Sequence, residues 1–177
     1  MKQIPNFTKG MFDVNIILEN LNIKNDSIIL DAGCGNGYMI REFAKIIKDE
    51  GKVYGVDKNI DFVNQLNKQN NLKNVQILIL DLIKKANFKD ESFDLIYLST
   101  LLHIFSKEEK ISFFNEAKRL LKKSAKLAIV EVNKNNTSFG PPLAMRISPN
   151  ELIKIASLTP KKLIELNENF YMQIFEK

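Results

Sequence analysis

The sequence predicts an α/β fold: a three-layer α/β/α sandwich on a seven-stranded, mostly parallel sheet that closes with an antiparallel C-terminal hairpin strand. Three observations predict it. Short apolar runs alternate with segments whose apolar residues recur at three- and four-residue spacing. A glycine-rich turn, Gly33-Cys34-Gly35-Asn36-Gly37, follows the first run and opens directly into such a segment. The last two runs are separated only by Asn167-Glu168-Asn169, which allows a hairpin but no helical crossover.

Along the chain, Met11, Val14, Ile17, Leu18 and Leu21 mark an amphipathic helix beside the sheet, within an N-terminal helical segment over residues 1–25. Ser27 to Ala32 is an apolar run broken only by Asp31, as in a parallel strand covered on both faces. Met39, Ile40, Phe43, Ala44 and Ile47 give the next helix its buried stripe. Lys52 to Asp57 is the second strand, followed by a helix through Phe62 and Leu66; Val75 to Leu80 and Phe93 to Leu98 are the third and fourth strands. Ser106 and Glu109 form a capping box for a helix over 107–122, with Ile111, Phe114, Ala117 and Leu121 expected on its buried face. Lys126 to Val132 is the fifth strand. Ser148-Pro149-Asn150-Glu151 is a second capping box, with proline at the first helical position, opening a helix to Ala156. Leu163 to Leu166 and Phe170 to Phe175 close the sheet.

Composition bounds the function. The 177 residues, 45% hydrophobic, suit one domain over 1–177 and exclude disorder as the main state. No apolar run reaches the roughly 18–20 residues of a membrane span, and Met1 to Asn6 carries no apolar leader, so a cytoplasmic protein is expected. One cysteine (Cys34) and one histidine (His103) leave no set of metal ligands, so no metal is expected. The net charge of +5 suggests nucleic acid, but the basic residues are 23 lysines and only three arginines. Base readers and phosphate clamps favour arginine's bidentate fork. The lysine excess runs with 20 asparagines and 22 isoleucines as a drift of the whole composition, and nucleic acid is not expected as a partner.

The glycine turn carries the chemistry. Glycines between a buried strand and a helix N-terminus allow positive φ and let a ligand lie against free backbone N–H groups. The spacing is G-x-G-x-G, not the G-x-G-x-x-G of a dinucleotide fingerprint; Tyr38 stands where the third glycine would fall. Asp31, just before the glycines, would repel a pyrophosphate and suits a cationic ligand.

Asp31-Ala32-Gly33-Cys34-Gly35-Asn36-Gly37 resembles motif I of the class I S-adenosylmethionine-dependent methyltransferases, whose Rossmann-like fold agrees with the elements above. The resemblance runs on through Val53 to Asp57, Leu80-Asp81-Leu82, Asp90 to Ile96, and Leu101-Leu102-His103-Ile104-Phe105, which is similar to the ubiquinone/menaquinone-biosynthesis-like branch. Gly140-Pro141-Pro142 with Arg146-Ile147-Ser148 is similar to small members of that branch. The resemblance implies that Asp57 takes the ribose hydroxyls beside Lys58, that Asp81 accepts from the adenine amino group, and that Leu82 touches the ring. It implies that Gly33, Cys34, Gly35 and Gly37 shape the loop around the methionine portion, with Asp31 near its ammonium and Ser99 and Thr100 completing the grip. Cys34 is read as a small packed residue there, having no basic partner to make it a nucleophile. His103, Glu131 and Tyr38 are the candidates for the acceptor side. Residues 133–148 are the expected acceptor-side loop, with the segment up to Phe12 as a second cover. Arg146 is read either as a partner for an acidic acceptor or as a brace for that loop.

The reaction so implied is transfer of a methyl group to a small-molecule acceptor, an in-line displacement governed by alignment. One cysteine is too few to hold arsenite. The Asn/Asp-Pro-Pro-aromatic motif of enzymes acting on exocyclic base amines is replaced by Leu98-Ser99-Thr100-Leu101. The acidic gate of an aminopropyltransferase is missing. A non-catalytic S-adenosylmethionine-binding module or partner subunit, and an RNA methyltransferase, are the alternatives. Two departures from the family pattern, Lys123-Ser124-Ala125 for Pro-Gly-Gly and Ser157-Leu158-Thr159-Pro160 before the sixth strand, lie away from the expected site.

Overall fold

Seven strands form one sheet in the computed structural model, which describes residues 10–48, 50–135 and 137–177. In chain order the elements are α1 (Val14–Leu21), β1 (Ile28–Ala32), α2 (Tyr38–Ile46), β2 (Lys52–Asp57), α3 (Ile60–Gln69), β3 (Val75–Ile79) and β4 (Phe93–Ser99). They continue with α4 (Lys107–Leu120), β5 (Leu121–Val132), α5 (Pro149–Ala156), β6 (Thr159–Asn167) and β7 (Phe170–Glu176). The strand order is β3-β2-β1-β4-β5-β7-β6, parallel from β3 to β5 and antiparallel at β7 and β6. The expected sandwich and its closing hairpin are present.

Each face of the sheet carries its own core. Helices α1, α2 and α3 cover one face through Ile17, Phe43 and Val63 against Ile29, Val53 and Tyr97. Helices α4 and α5 cover the other through Phe113, Phe114 and Leu152 against Leu30, Ile96 and Ile129. The alternation of side chains along a strand assigns the faces: Tyr97 and Leu95 point one way, Ile96 and Leu98 the other. Both capping boxes form, with Glu109 N–H donating to Ser106 Oγ at 3.1 Å and Glu151 N–H donating to Ser148 Oγ at 3.3 Å.

Three local expectations change. Ile111 is 45% exposed, and the buried face of α4 is made by Phe113, Phe114, Glu116, Ala117 and Leu120. The helix ends at Leu120 rather than near 122, because Leu121 turns extended at once and pairs with Phe93. A register shift then carries the strand past Lys123-Ser124-Ala125, where Ser124 takes φ +59° in place of a glycine turn. β6 begins at Thr159, four residues early; it is the sheet's edge strand, so Pro160 costs no ladder bond on its open side.

Two partly exposed charge clusters tie segments of the sheet and helices together. Asp94 accepts from Ile28 N–H at 2.8 Å and from Lys122 Nζ, pinning the start of β1 to β4 and β5. Arg119 joins Glu116 and Asp90 and donates to the carbonyls of Ala86 and Phe88, tying the segment after β3 onto α4. Burial would lift the Glu116 carboxyl, but Arg119 holds it below its ordinary range. No helix among the described residues is long and apolar enough to cross a membrane.

Candidate functional site

The loop after β1 is stitched to the neighbouring strand. Gly33 and Cys34 N–H both donate to the Val56 carbonyl, at 2.8 and 3.0 Å, and Gly35 N–H donates to Asp57 Oδ2 at 3.0 Å. Two of the glycines are dictated by geometry. Gly33 sits at φ +72°, and a Cβ there would lie 2.3 Å from Leu101 Cδ2. Gly35 sits at φ +49° with open space where its Cβ would point.

That open space is a cavity of about 520 Å³, a size that suits a small-molecule ligand. It lies beyond the C-terminal ends of β1, β2, β4 and β5, where the strand order reverses between β1 and β4, the usual ligand position in an open α/β sheet. Asp31, Gly33, Cys34, Gly35 and Asp57 line one side, with Tyr97, Ser99 and Thr100 behind them. Met11, Tyr38, Phe62, His103, Val132, Phe139, Gly140, Pro141 and Phe170 line the rest. A second cavity of about 60 Å³ shares Gly33, Asp57 and Leu101 with the first and adds Lys58, Asp81 and Leu82.

The glycine-loop end carries two neighbouring carboxyl groups, Asp31 and Asp57, of which Asp31 is buried. Asp31 is 3% exposed, and burial, then the neighbouring Asp57, push its carboxyl up to about 7. A cation bound beside it would reverse that shift. Burial, then the Asp31 and Asp57 charges, push the Cys34 thiol far up, so Cys34 stays protonated and packed, as its setting in the sequence implies. Burial likewise pushes the Tyr97 phenol up; Ser99 offsets part of the rise, although neither hydroxyl meets hydrogen-bond geometry with any partner. Two buried hydroxyls left open at a cavity wall are groups that a ligand can satisfy. Thr100 sits at φ +49°, a strained setting for a β-branched residue, held by its N–H to the Val130 carbonyl at 2.8 Å.

Asp57 is built to accept more than it does. Its Oδ2 takes the Gly35 N–H and its Oδ1 takes the Asn59 N–H at 2.8 Å. Each carboxylate oxygen keeps a second lone pair, enough for two adjacent hydroxyls.

At the opposite end, His103 Nδ1 lies 2.9 Å from Glu131 Oε2, and the His103 N–H donates to Glu131 Oε1 at 3.2 Å. Glu131 is fully buried and does not line the cavity; it reaches the cavity through His103. The loop over residues 133–146 closes this end with Phe139, Gly140 and Pro141, and Arg146 is its brace rather than a free cation. Buried to 5% exposure, Arg146 donates to the carbonyls of Pro141 (2.8 Å), Asn133 (3.2 Å), Asn135 (2.7 Å), Thr137 (3.1 Å) and Phe139, and to Thr137 Oγ1. No carboxylate is among these partners.

The structure thus brings Asp31, Gly33, Cys34, Gly35, Tyr38, Asp57, Ser99, Thr100 and His103 to one cavity, and Lys58, Asp81 and Leu82 to its neighbour. Gly37 lines neither; it is the N-cap of α2 at φ +72°. Of the N-terminal cover, residues 1–9 lie outside the described residues, while Met11 lines the cavity and Phe12 packs edge-on against Phe170. Sequence reasoning missed Tyr97, Leu101 and Phe170. Tyr97 was within reach, since a strand placing Ser99 at the site also places the residue two before it on the same face.

The methyltransferase-domain family model matches residues 29–124, from β1 to the turn inside β5. A crystal structure of a SAM-dependent methyltransferase from Aquifex aeolicus superposes with a TM-score of 0.86 at 27% identity, covering 98% of this chain and 94% of that one. An uncharacterized protein of Methanocaldococcus jannaschii is 31% identical over 77% of this chain, and a protein of Invertebrate iridescent virus 6 named as a methyltransferase is 28% identical over 66% of it. The chain spans 55% of the first of these two relatives and 43% of the second. With the family match covering more than half of the chain and the glycine loop, acidic strand ends and cavity all in place, the chain belongs to the class I S-adenosylmethionine-dependent methyltransferases.

Proposed function

We propose that the protein transfers a methyl group from S-adenosylmethionine to a small-molecule acceptor bound in the same cavity. The observation that carries this reading is that one cavity joins the anionic glycine-loop end to the His103 end. The donor set fits the cofactor. Asp31, together with the open Ser99 and Tyr97 hydroxyls, suits the ammonium and carboxylate of its amino-acid end. Asp57 suits the ribose diol, and Asp81, Leu82 and Lys58 suit the base. When bound, S-adenosylmethionine supplies the methyl group, carried on a positively charged sulfur.

The protein's residues hold and align. Phe62, Phe139 and Phe170 give the cavity an apolar wall. Fixing two reactants in one orientation contributes roughly 7–11 kcal/mol toward the barrier, enough that no covalent residue is needed.

A thermal shift measurement with S-adenosylhomocysteine, S-adenosylmethionine and NAD side by side tests the reading. The first two are expected to raise the Tm by roughly 5–11 °C at about 100 times their Kd, and NAD to leave it unchanged. Asp57→Ala removes a charge-assisted acceptor and is expected to weaken S-adenosylhomocysteine about tenfold to a hundredfold. A shift with NAD alone overturns the proposal.

A further inference from the structure

A cleft of about 370 Å³ opens at the other end of the sheet from the cofactor cavity, where β1, β4 and β5 begin. The two ends differ in charge. No lysine or arginine lines the cofactor cavity among the described residues, whereas Lys24, Lys122, Lys123 and Lys126 all line this cleft. Its carboxylates are Asp26 and Asp94, so the lining keeps a surplus of two positive charges. Lys123 and Ser124 belong to the turn that stands in place of the family's Pro-Gly-Gly, and Ser124 holds φ +59° there.

The donors in the cleft are fixed but only partly spent. Lys122 Nζ lies 2.9 and 2.8 Å from the two Asp94 oxygens, and Lys126 Nζ donates to the Leu21 carbonyl at 3.1 Å. An ammonium has three hydrogens, so Lys122 keeps one and Lys126 keeps two. Lys24 and Lys123 are exposed and make no ion pair among the described residues. Ser27, also on the cleft wall, is 8% exposed. Its Oγ accepts from the Lys24 N–H at 3.0 Å, and its own O–H donates to nothing among the described residues. A buried hydroxyl with an unspent hydrogen, set among cations, is a group that an anionic ligand can satisfy.

We propose that this cleft is a second binding site, separate from the cofactor cavity, for the phosphate group of a small soluble phosphate ester or diphosphate. A phosphate dianion matches the surplus charge and offers several oxygens to donors that converge from different segments: Lys24 and Ser27 before β1, Lys122, Lys123 and Lys126 along β5. Lysine binds phosphate as a point charge, so the site needs no arginine fork. A concave cleft of this size holds one small molecule. The proposal stands whether or not the methyl-transfer reading does.

Calorimetric titration of inorganic pyrophosphate in about 20 mM NaCl, with and without saturating S-adenosylhomocysteine, tests the site. The wild type is expected to bind one pyrophosphate per chain with a Kd below about 1 mM, equally in both conditions. Combining Lys24→Gln with Lys123→Gln removes two exposed charges that pair with nothing in the fold. It is expected to weaken pyrophosphate about fivefold or more, while S-adenosylhomocysteine binds as in the wild type. Three results overturn the proposal: no pyrophosphate binding by the wild type, an unchanged Kd in the double variant, or binding abolished by S-adenosylhomocysteine, which would place the anion in the cofactor cavity. Binding of phosphatidic acid vesicles or of a single-stranded RNA without binding of pyrophosphate also overturns it, in favour of an extended basic surface.

Discussion

S-Adenosylhomocysteine is expected to bind more tightly as pH rises from 5 to 8, with the gain levelling off above about 7. The cause is Asp31, whose carboxyl burial and Asp57 push up to about 7. The ligand's ammonium needs the ionised carboxylate. Below that pKa most molecules carry protonated Asp31, and each pH unit lowers the competent fraction about tenfold. The same group makes the ligand-free fold behave in the opposite sense. A carboxyl with a raised pKa binds more protons folded than unfolded, so its contribution to stability is full near pH 4 and is lost as pH rises toward and through about 7. Asp31→Asn keeps the shape without the charge. It should flatten both profiles and leave binding at pH 8 weaker by about tenfold or more. Calorimetric titration across pH 5–8 checks the first, and urea unfolding across the same range the second. A wild-type affinity that does not change with pH contradicts the assignment of Asp31 to the ammonium.

Arg146→Met is expected to open the acceptor end of the cavity. A guanidinium with five donor hydrogens binds five carbonyls and one hydroxyl of the 133–146 loop, and hydrogen bonds to a charged donor contribute about 1.5–3 kcal/mol each. The freed carbonyls can turn to water, so the net loss falls to roughly 2–4 kcal/mol, concentrated in the loop. Chymotrypsin should then cut at Phe139, which is 38% exposed in the braced loop, much faster than in the wild type. Arg146→Lys, with three donors on a flexible stem, should fall between. Equal cleavage rates in wild type and Arg146→Met contradict the brace.

These two residues mark what the sequence shows and what it hides. Asp31 is legible because its meaning is local: a carboxylate between an apolar strand and a glycine turn can only be a liability or a ligand group. The capping serines, the hairpin at Asn167 to Asn169 and the strand periods are legible for the same reason, since their partners lie within a few residues. Arg146 left two roles open because its site depends on how a loop folds back. The His103–Glu131 pair spans 28 residues of chain, so the sequence names both groups without showing that one acts through the other. Arg119 and Asp90, 29 residues apart, show no signal at all before folding. Ile111 misled through its period: it shares a helical stripe with Phe114 and Ala117, which are buried, yet is itself exposed, and Phe113, Glu116 and Leu120 complete the buried face. The early start of β5 follows from pairing with Phe93, a tertiary contact that overrides the helical pattern of 107–122.

A crystal structure of the protein grown with S-adenosylhomocysteine tests the central claim most directly. The account predicts the ligand against the glycine loop, its ribose hydroxyls on Asp57, its ammonium beside Asp31 and its base between Asp81 and Leu82. The sulfur should face the space in front of His103. A ligand bound elsewhere, or one whose ribose turns away from Asp57, contradicts it.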